Sequence, residues 1–306
     1  MAPSQRARRG WRLLGQLLVL GLVAFVVYRV VQHLDTLRQY PWRFSPLLAL
    51  AGLALLALAN SVMPFVWRDI LSRTGQRIPA DRAYYAWALS RMGRYIPGKV
   101  WVVLGRVYLV PESRRGLVLW SVTVEMGLDL MAGLAWGLVT LPALTRAWFP
   151  GLPPVPRWVP LGILLAFFLM LHPSVVRWAL RRVGRDVPEV RWDYRHLFVW
   201  FLIFLSIWAL RVLGHYLFLR SFGLHLPYRT LLTAFALAWI LGLLAPFAPG
   251  GLGVREGVLT VVLEPVLGPG LAPMAALITR VAATLGDLFL LVPVAVLHRR
   301  LGRRRL

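Results

Sequence analysis

Long apolar segments, separated by short polar connections, make up most of the chain. A helix of about 20 apolar residues spans the hydrocarbon core of a bilayer. Segments of that length occur at 13–31, 46–67, 117–141, 158–176, 196–219 and 272–297. The pattern predicts an all-α polytopic membrane protein with about six full transmembrane helices.

Two further apolar segments are interrupted by proline and glycine. Residues 83–110 break at Pro97-Gly98, which leaves pieces of about 14 and 12 residues, or roughly 20 Å of helix each. Neither piece crosses a core of about 30 Å, so we expect a re-entrant hairpin there. Residues 230–267 break at Pro249-Gly250, and for this segment both a re-entrant hairpin and two crossings fit the lengths.

The order of the segments repeats. Residues 13–141 and 158–297 each contain a span, a second span, a broken segment and a third span. The first half begins inside and the second begins outside, as in transporters with inverted repeats. We therefore expect one transmembrane domain over 1–306 with two inverted halves and a site where the breaks meet.

Composition supports the membrane interpretation. The 306 residues are 58% hydrophobic and only 15% charged, with a mean hydropathy of +0.66. The net charge of +23 comes from arginines in short connections and at both ends of the chain. That distribution predicts cytoplasmic termini and a location in the cell membrane, and it argues against nucleic acid as the partner.

Several kinds of chemistry have no residues to support them in the sequence. Cysteine is absent, and no metal-binding, nucleotide-binding or nucleophile motif occurs. No polar stretch is long enough to fold as a catalytic domain. We expect no enzyme activity, no cofactor and no bound metal.

The first break has the features of an anion site. A helix that starts after Gly98 exposes free N–H groups and the positive end of its dipole. Lys99, the one lysine among 35 basic residues, lies in its first turn, with Arg94 before the break and Arg106 two turns beyond. Phosphate is the natural ligand. The alternative is that these cations reach the membrane surface, which we expect of Arg91.

The second break adds a flexible backbone and one more cation. Gly250 and Gly251 allow a sharp bend and close approach to a ligand. Arg255 opens the next helical segment and is a second candidate for anion binding. Glu256 is expected to cap that segment or to pair with a cation.

Acidic and basic residues also lie within the predicted spans. Glu125 and Asp129 share one helix face, where they either pair with arginines or couple transport to protons. The candidate partners are Arg94, Arg106 and Arg280. Asp287 lies two turns from Arg280 on one face of the last span. Arg211 and His215, one turn apart in the fifth span, are candidates to line the outer half of a path.

Two motifs together resemble a known family. Residues 93–101 (GRYIPGKVW) and 249–257 (PGGLGVREG) are similar to the transmembrane flippase domain of lysylphosphatidylglycerol synthases and its stand-alone relatives. The resemblance implies a role in moving lipids between leaflets. It carries over, as functional positions, Arg94, Pro97, Gly98, Lys99, Gly250, Gly251, Arg255 and Glu256, with Arg280 and Asp287 matching a polar pattern in the last span. Because no aminoacyl-transferase domain follows before Leu306, we expect no lysyl transfer.

The sequence therefore leads to a lipid translocase as the first functional hypothesis. Its substrate is an anionic lipid, either a phospholipid or a polyprenyl phosphate, held by Lys99, Arg94 and Arg255. The alternative is a non-transporting membrane subunit that presents a lipid to a separate glycosyl- or aminoacyl-transferase. A third hypothesis is an enzyme that acts on a lipid phosphate with Glu125 or Asp129 as base. The sequence assigns no oligomeric state.

Overall fold

A computed structural model describes residues 20–96, 100–110, 115–148, 151, 156, 158–170, 174–175, 193–245 and 248–303. Within these ranges the chain is helical and contains no β-strand. The helices are α1 Leu20–Gln32, α2 Leu34–Gln39, α3 Pro46–Ser72, α4 Ala80–Arg91, α5 Val100–Leu109, α6 Arg115–Trp148, α7 Trp158–Met170, α8 Tyr194–Ser221, α9 Tyr228–Leu244, α10 Val254–Phe289 and α11 Leu291–Arg303.

The helix lengths confirm the predicted fold class. Among the residues described, four helical segments are long and apolar enough to cross a membrane: Pro46–Ser72, Arg115–Val139, Tyr194–Ser221 and Val254–His298. The first three coincide with predicted spans. The chain is an all-α, multi-pass membrane protein.

Helices α3 and α8 form the centre of the bundle and run antiparallel. At one end the N–H of Ser45 donates to the carbonyl of Ser221 at 2.8 Å. At the other end the Trp200 indole donates to Asp69 at 2.9 Å. Between them, a β-carbon at Gly52 would lie 2.6 Å from the carbonyl oxygen of Gly214. The two backbones therefore touch, as small residues allow between membrane helices.

A carboxylate fixes the start of α8. Asp193 is the N-cap residue, and its side chain accepts a hydrogen bond from the N–H of His196 at 3.2 Å. That bond, strengthened by the imidazole of His196, lowers the pKa of Asp193. Since the pKa is depressed, the cap stabilises the helix above the ordinary pKa of the carboxyl, and this stabilisation is lost as the pH falls.

The predicted first break is present and begins before the proline. Helix α4 ends at Arg91, and Met92–Tyr95 form one 3₁₀ turn. Ile96 is then extended, with φ −89° and ψ 136°, as expected for a residue that precedes proline. Pro97, Gly98 and Lys99 lie outside the described residues.

The second break is a 3₁₀ turn at Pro249–Gly251, between α9 and α10. Gly250, Gly251 and Gly253 have positive φ angles of 56°, 73° and 80°, which glycine adopts without strain. Helices α9 and α10 pack against each other beyond this turn.

Helix α10 contains a further break that divides it. Gly268 has φ 81° and ψ 167°, which separates 254–267 from 269–289. The predicted last span, 272–297, is also interrupted: α10 ends at Phe289, and α11 begins at Leu291 after a turn. Pro293 explains the interruption, because it has no N–H to donate to the carbonyl of Phe289. Helix α11 packs on α4, where His298 contacts the Tyr85 hydroxyl at 3.0 Å.

The N-terminal helices lie against α10. Arg29 on α1 forms an ion pair with Glu264. A β-carbon at Gly270 would lie 3.0 Å from the β-carbon of His33, so the chain between α1 and α2 rests directly on the second part of α10.

Candidate functional site

The two breaks meet in the interior of the bundle. A β-carbon at Gly250 would lie 3.3 Å from the carbonyl oxygen of Arg94 and 3.4 Å from a guanidinium nitrogen of Arg280. Glycine at this position therefore provides both the positive φ and the room for the first break to approach. The structure brings together two segments that are half a chain apart in sequence.

Asp287, on the second part of α10, ties the first break to the second half of the chain. Its side chain is almost fully buried. One carboxylate oxygen accepts from Nε of Arg91 at 2.8 Å. The other accepts from Arg94 at 3.0 Å and from the Tyr95 hydroxyl at 2.8 Å. Two guanidinium groups thus share one carboxylate.

The outward orientation expected of Arg91 is wrong. Its side chain is only 19% exposed and points inward to Asp287, with its guanidinium 5.0 Å from the centre of the Trp87 ring. The reason is the 3₁₀ turn after α4, because residues three apart in such a turn lie on the same side. Arg91 and Arg94 therefore reach the same carboxylate.

Asn60 and Arg211 extend this cluster across the bundle. The side-chain oxygen of Asn60 accepts from Arg91 at 3.3 Å and from Nε of Arg211 at 3.1 Å. Arg211 also pairs with Asp129 at 3.4 Å, and the Trp208 indole donates to the same carboxylate at 3.0 Å. Asp129 therefore has an arginine partner that the sequence had not placed beside it.

Glu256 fulfils both structural roles that its position allowed. One oxygen accepts from the N–H of Gly253 at 2.7 Å and so caps α10. The other lies 3.4 Å from Arg280. Arg280 in turn donates to the carbonyl of Gly250 at 3.3 Å, which fixes the turn of the second break to the last span.

Arg106 and Glu125 form a separate, closed pair. The guanidinium binds both carboxylate oxygens, and the Trp87 indole donates to Glu125 at 2.8 Å. The Trp67 ring centre lies 4.9 Å from the Arg106 guanidinium carbon. Of the two predicted roles for Glu125, the geometry supports pairing with an arginine. It places Arg106 beside the first break with its charge already compensated.

Arg255 differs from the other arginines of the cluster. Its Nε is buried and has no hydrogen-bond partner, and it forms no ion pair with any described carboxylate. The side chain occupies space left by two glycines: a β-carbon at Gly242 or Gly251 would lie 2.9 Å from its Cγ or Nε. The charges of Arg94, Arg280, Glu256 and Asp129 all act on it.

The cluster carries an excess of positive charge. Its five arginines face three carboxylates, an excess of two charges. The members are Arg91, Arg94, Arg211, Arg255, Arg280, Asp129, Glu256 and Asp287. Uncompensated charge in a membrane interior is costly, so an anion is the ligand that this arrangement favours. In the described ranges no group of three or more His, Cys, Asp or Glu residues has metal-binding geometry.

The sequence pattern does not single out three residues that contact the cluster. Asn60, Tyr95 and Trp208 act through hydrogen bonds to its carboxylates. A partial signal was available for Asn60, because Pro64 follows four residues later and leaves the carbonyl of Asn60 without its helical partner. A polar residue beside a free carbonyl in an apolar span marks a polar interior.

These features define a class: a polytopic α-helical membrane protein whose two helix breaks enclose a buried, positively charged cluster. Comparison with protein families then identifies the family. The model of the lysylphosphatidylglycerol synthase TM region matches residues 12–290. The chain belongs to this family, so the family predicted from the two motifs is confirmed. No curated protein matches the chain.

Proposed function

We propose that this protein is a lipid translocase that binds an anionic headgroup between its two breaks. The family suggests a membrane function related to lipids. The observation that carries the proposal is the excess of two positive charges where the breaks meet. A phospholipid or a polyprenyl phosphate supplies the anion, and the protein does no covalent chemistry.

Compensation of the headgroup charge lowers the barrier to crossing. A phosphate that enters hydrocarbon loses its water, which is very unfavourable without a substitute. Guanidinium groups replace part of that hydration with charge-assisted hydrogen bonds. Arg255 is the principal contact, because its buried Nε has no hydrogen-bond partner among the described residues. By the sequence motif, Lys99 and Gly98 belong to the same site.

The two inverted halves expose the headgroup site alternately to the two sides of the membrane. Their equivalent second spans, α3 and α8, run antiparallel and touch at Gly52 and Gly214, as a two-fold axis in the membrane plane requires. Each half also joins the helix after its break to the following span by an ion pair. The pairs are Arg106–Glu125 and Glu256–Arg280, with the charges exchanged. This internal correspondence supports the inverted repeat, with each broken segment turning back inside the membrane.

The repeat also implies an orientation. The arginine-rich connections favour a cytoplasmic N-terminus, and an even number of crossings returns the chain to the same side, so both termini lie in the cytoplasm. The membrane is the cell membrane. Asp287, held by Arg91 and Arg94 of the first half, is the contact that must rearrange when the halves move.

The test is leaflet exchange in reconstituted vesicles. Vesicles with a fluorescent anionic phospholipid are expected to exchange it between leaflets when they contain the purified protein. Arg255→Ala and Lys99→Ala should lower the rate about tenfold or more, since each removes a charge-assisted contact to phosphate. Arg229→Ala, which changes an exposed arginine on α9, is the matched control.

Two results would contradict the proposal. One is exchange no faster than in protein-free vesicles, although a thermal unfolding transition shows that the reconstituted protein is folded. The other is an unchanged rate in both variants. Absence of exchange together with co-purification of a transferase would instead support a subunit that presents a lipid without moving it.

A further inference from the structure

Among the described residues of the second half, three buried nitrogen atoms have no hydrogen-bond partner. They are Nη2 of Arg211, Nδ1 of His215 and Nε of Arg255. Buried polar atoms in proteins are almost always paired, so an unpaired group calls for an explanation. Three such groups on neighbouring helices have one common explanation, which is a ligand with several acceptor atoms.

Two of the three side chains contact one face of α9, and the third lies one turn away on α8. His215 stacks on Phe235 with ring centres 4.4 Å apart. Seven residues later, and hence on the same face of the helix, Gly242 receives the side chain of Arg255. Arg211 is one turn from His215 on α8. Both arginines act electrostatically on His215, which is only 6% exposed.

The partners of these residues leave the three atoms available. Arg211 uses Nη1 for Asp129 and Nε for Asn60, so Nη2 remains. Arg255 has no ion pair with a described carboxylate, and its side chain fills the space that Gly242 and Gly251 leave. The arginines at the first break are different, since Arg91 and Arg94 are already bound to Asp287.

We propose that Arg211, His215 and Arg255 form the subsite that binds the phosphate oxygens of the headgroup. This inference rests on the proposed translocase function and assigns its ligand chemistry to specific atoms. Arg211 Nη2, Arg255 Nε and the Nδ1–H of a neutral His215 each donate to one oxygen. Donors from different elements suit a tetrahedral phosphate better than the two coplanar oxygens of a carboxylate.

The decisive variant is His215→Phe. It keeps an aromatic ring against Phe235 and replaces the unpaired nitrogen by carbon. Because an unpaired buried nitrogen is destabilising, the change should not lower the free energy of unfolding of the unliganded protein. The subsite predicts a fall of about tenfold in affinity for phosphatidylglycerol, while the unliganded protein unfolds at the same or a higher temperature. His215→Asn, which keeps an N–H near Nδ1, should retain more of the affinity.

Binding is measured by titration calorimetry on the purified full-length chain in detergent. The ligands are short-chain phosphatidylglycerol, the matching diacylglycerol without phosphate, and inorganic phosphate. Diacylglycerol is expected to bind much more weakly. Inorganic phosphate that competes with phosphatidylglycerol identifies the oxyanion alone as sufficient; lack of competition identifies the intact lipid as the ligand. Arg211→Gln and Arg255→Gln should weaken the binding of phosphatidylglycerol, and Arg229→Gln should leave it unchanged.

The outcomes separate this inference from the translocase proposal. Equal affinity for phosphatidylglycerol and diacylglycerol, or unchanged affinity in His215→Phe, Arg211→Gln and Arg255→Gln, overturns the subsite, even where leaflet exchange persists. Binding with the expected dependence on these residues establishes the subsite, even where the reconstituted protein moves no lipid.

Discussion

Asp287 has more hydrogen-bond and ion-pair partners than any other residue described in the site. It binds Arg91, Arg94 and Tyr95 of the first break and contacts Asn60 of α3. Removal of one member of a buried ion pair leaves the other charge uncompensated, which is worse than the absence of both. A single carboxylate therefore determines whether two arginines are tolerated inside the bundle.

Asp287→Asn should destabilise the protein strongly. The amide keeps the shape but not the charge, so Arg91 and Arg94 lose their counter-charge and the free energy of unfolding should fall by about 3–5 kcal/mol. Denaturant unfolding in detergent measures this. Asp35→Asn is the control, because its partner Arg38 and the aspartate are 75% and 90% exposed and such pairs contribute about 0–1 kcal/mol. Equal effects of the two changes would contradict a structural role for Asp287.

Residue identities predicted part of this site. Arg94, Arg255, Arg280 and Asp287 were selected because charge within an apolar segment needs a partner. Arg91 was misjudged because its direction depends on a 3₁₀ turn that the residues before Pro97 do not reveal. Which carboxylate meets which arginine depends on helix rotation, and sequence spacing along a single helix does not fix that.

At the scale of elements, the contact between α3 and α8 has no side chain to separate the backbones. Gly52→Ala should therefore force the helices apart, because the new carbon would lie 2.6 Å from a backbone oxygen that cannot move alone. The expected loss is about 1–3 kcal/mol of unfolding free energy, measured by thermal unfolding in detergent.

Gly162→Ala on α7 is the matched control. A β-carbon there would have nothing within 4 Å, so helix propensity predicts no loss and a gain of up to about 1 kcal/mol. A Gly52→Ala protein as stable as Gly162→Ala would show that the helices separate without cost.

The elements themselves were largely predictable, and their ends were not. Apolar length located α3, α6 and α8, and the Pro-Gly pairs located both breaks. Gly268 falls between the predicted segments 230–267 and 272–297, so the sequence placed a boundary where the structure breaks α10. Its backbone angles, φ 81° and ψ 167°, are accessible mainly to glycine. The end of α10 at Phe289, inside the predicted last span, was not predicted.

For the molecule as a whole, the absence of cysteine makes the orientation directly testable. Arg77 lies in the connection between α3 and α4, and His225 in the connection between α8 and α9; both are exposed. Arg77→Cys is expected to react with a membrane-impermeant maleimide only after the cells are opened. His225→Cys should react on intact cells. Labelling of both from the same side would contradict the proposed orientation and the inverted halves.

The fold class and the family followed from global features of the sequence, namely hydropathy, arginine placement and two motifs in order. The site required the structure, because it forms from residues of both halves that approach through Gly250 and Arg94. Long-range contacts of this kind leave no trace in local periodicity.

The position of Asp287 also has a kinetic consequence. A carrier that holds its cargo too firmly turns over slowly, since release then becomes the limiting step. Because Arg91 and Arg94 share the single negative charge of Asp287, an incoming headgroup in the proposed translocase competes with a resident counter-ion for those cations. If the protein is a translocase as proposed, this competition weakens capture and speeds departure on the far side, so the acidic residue limits affinity and favours passage over storage.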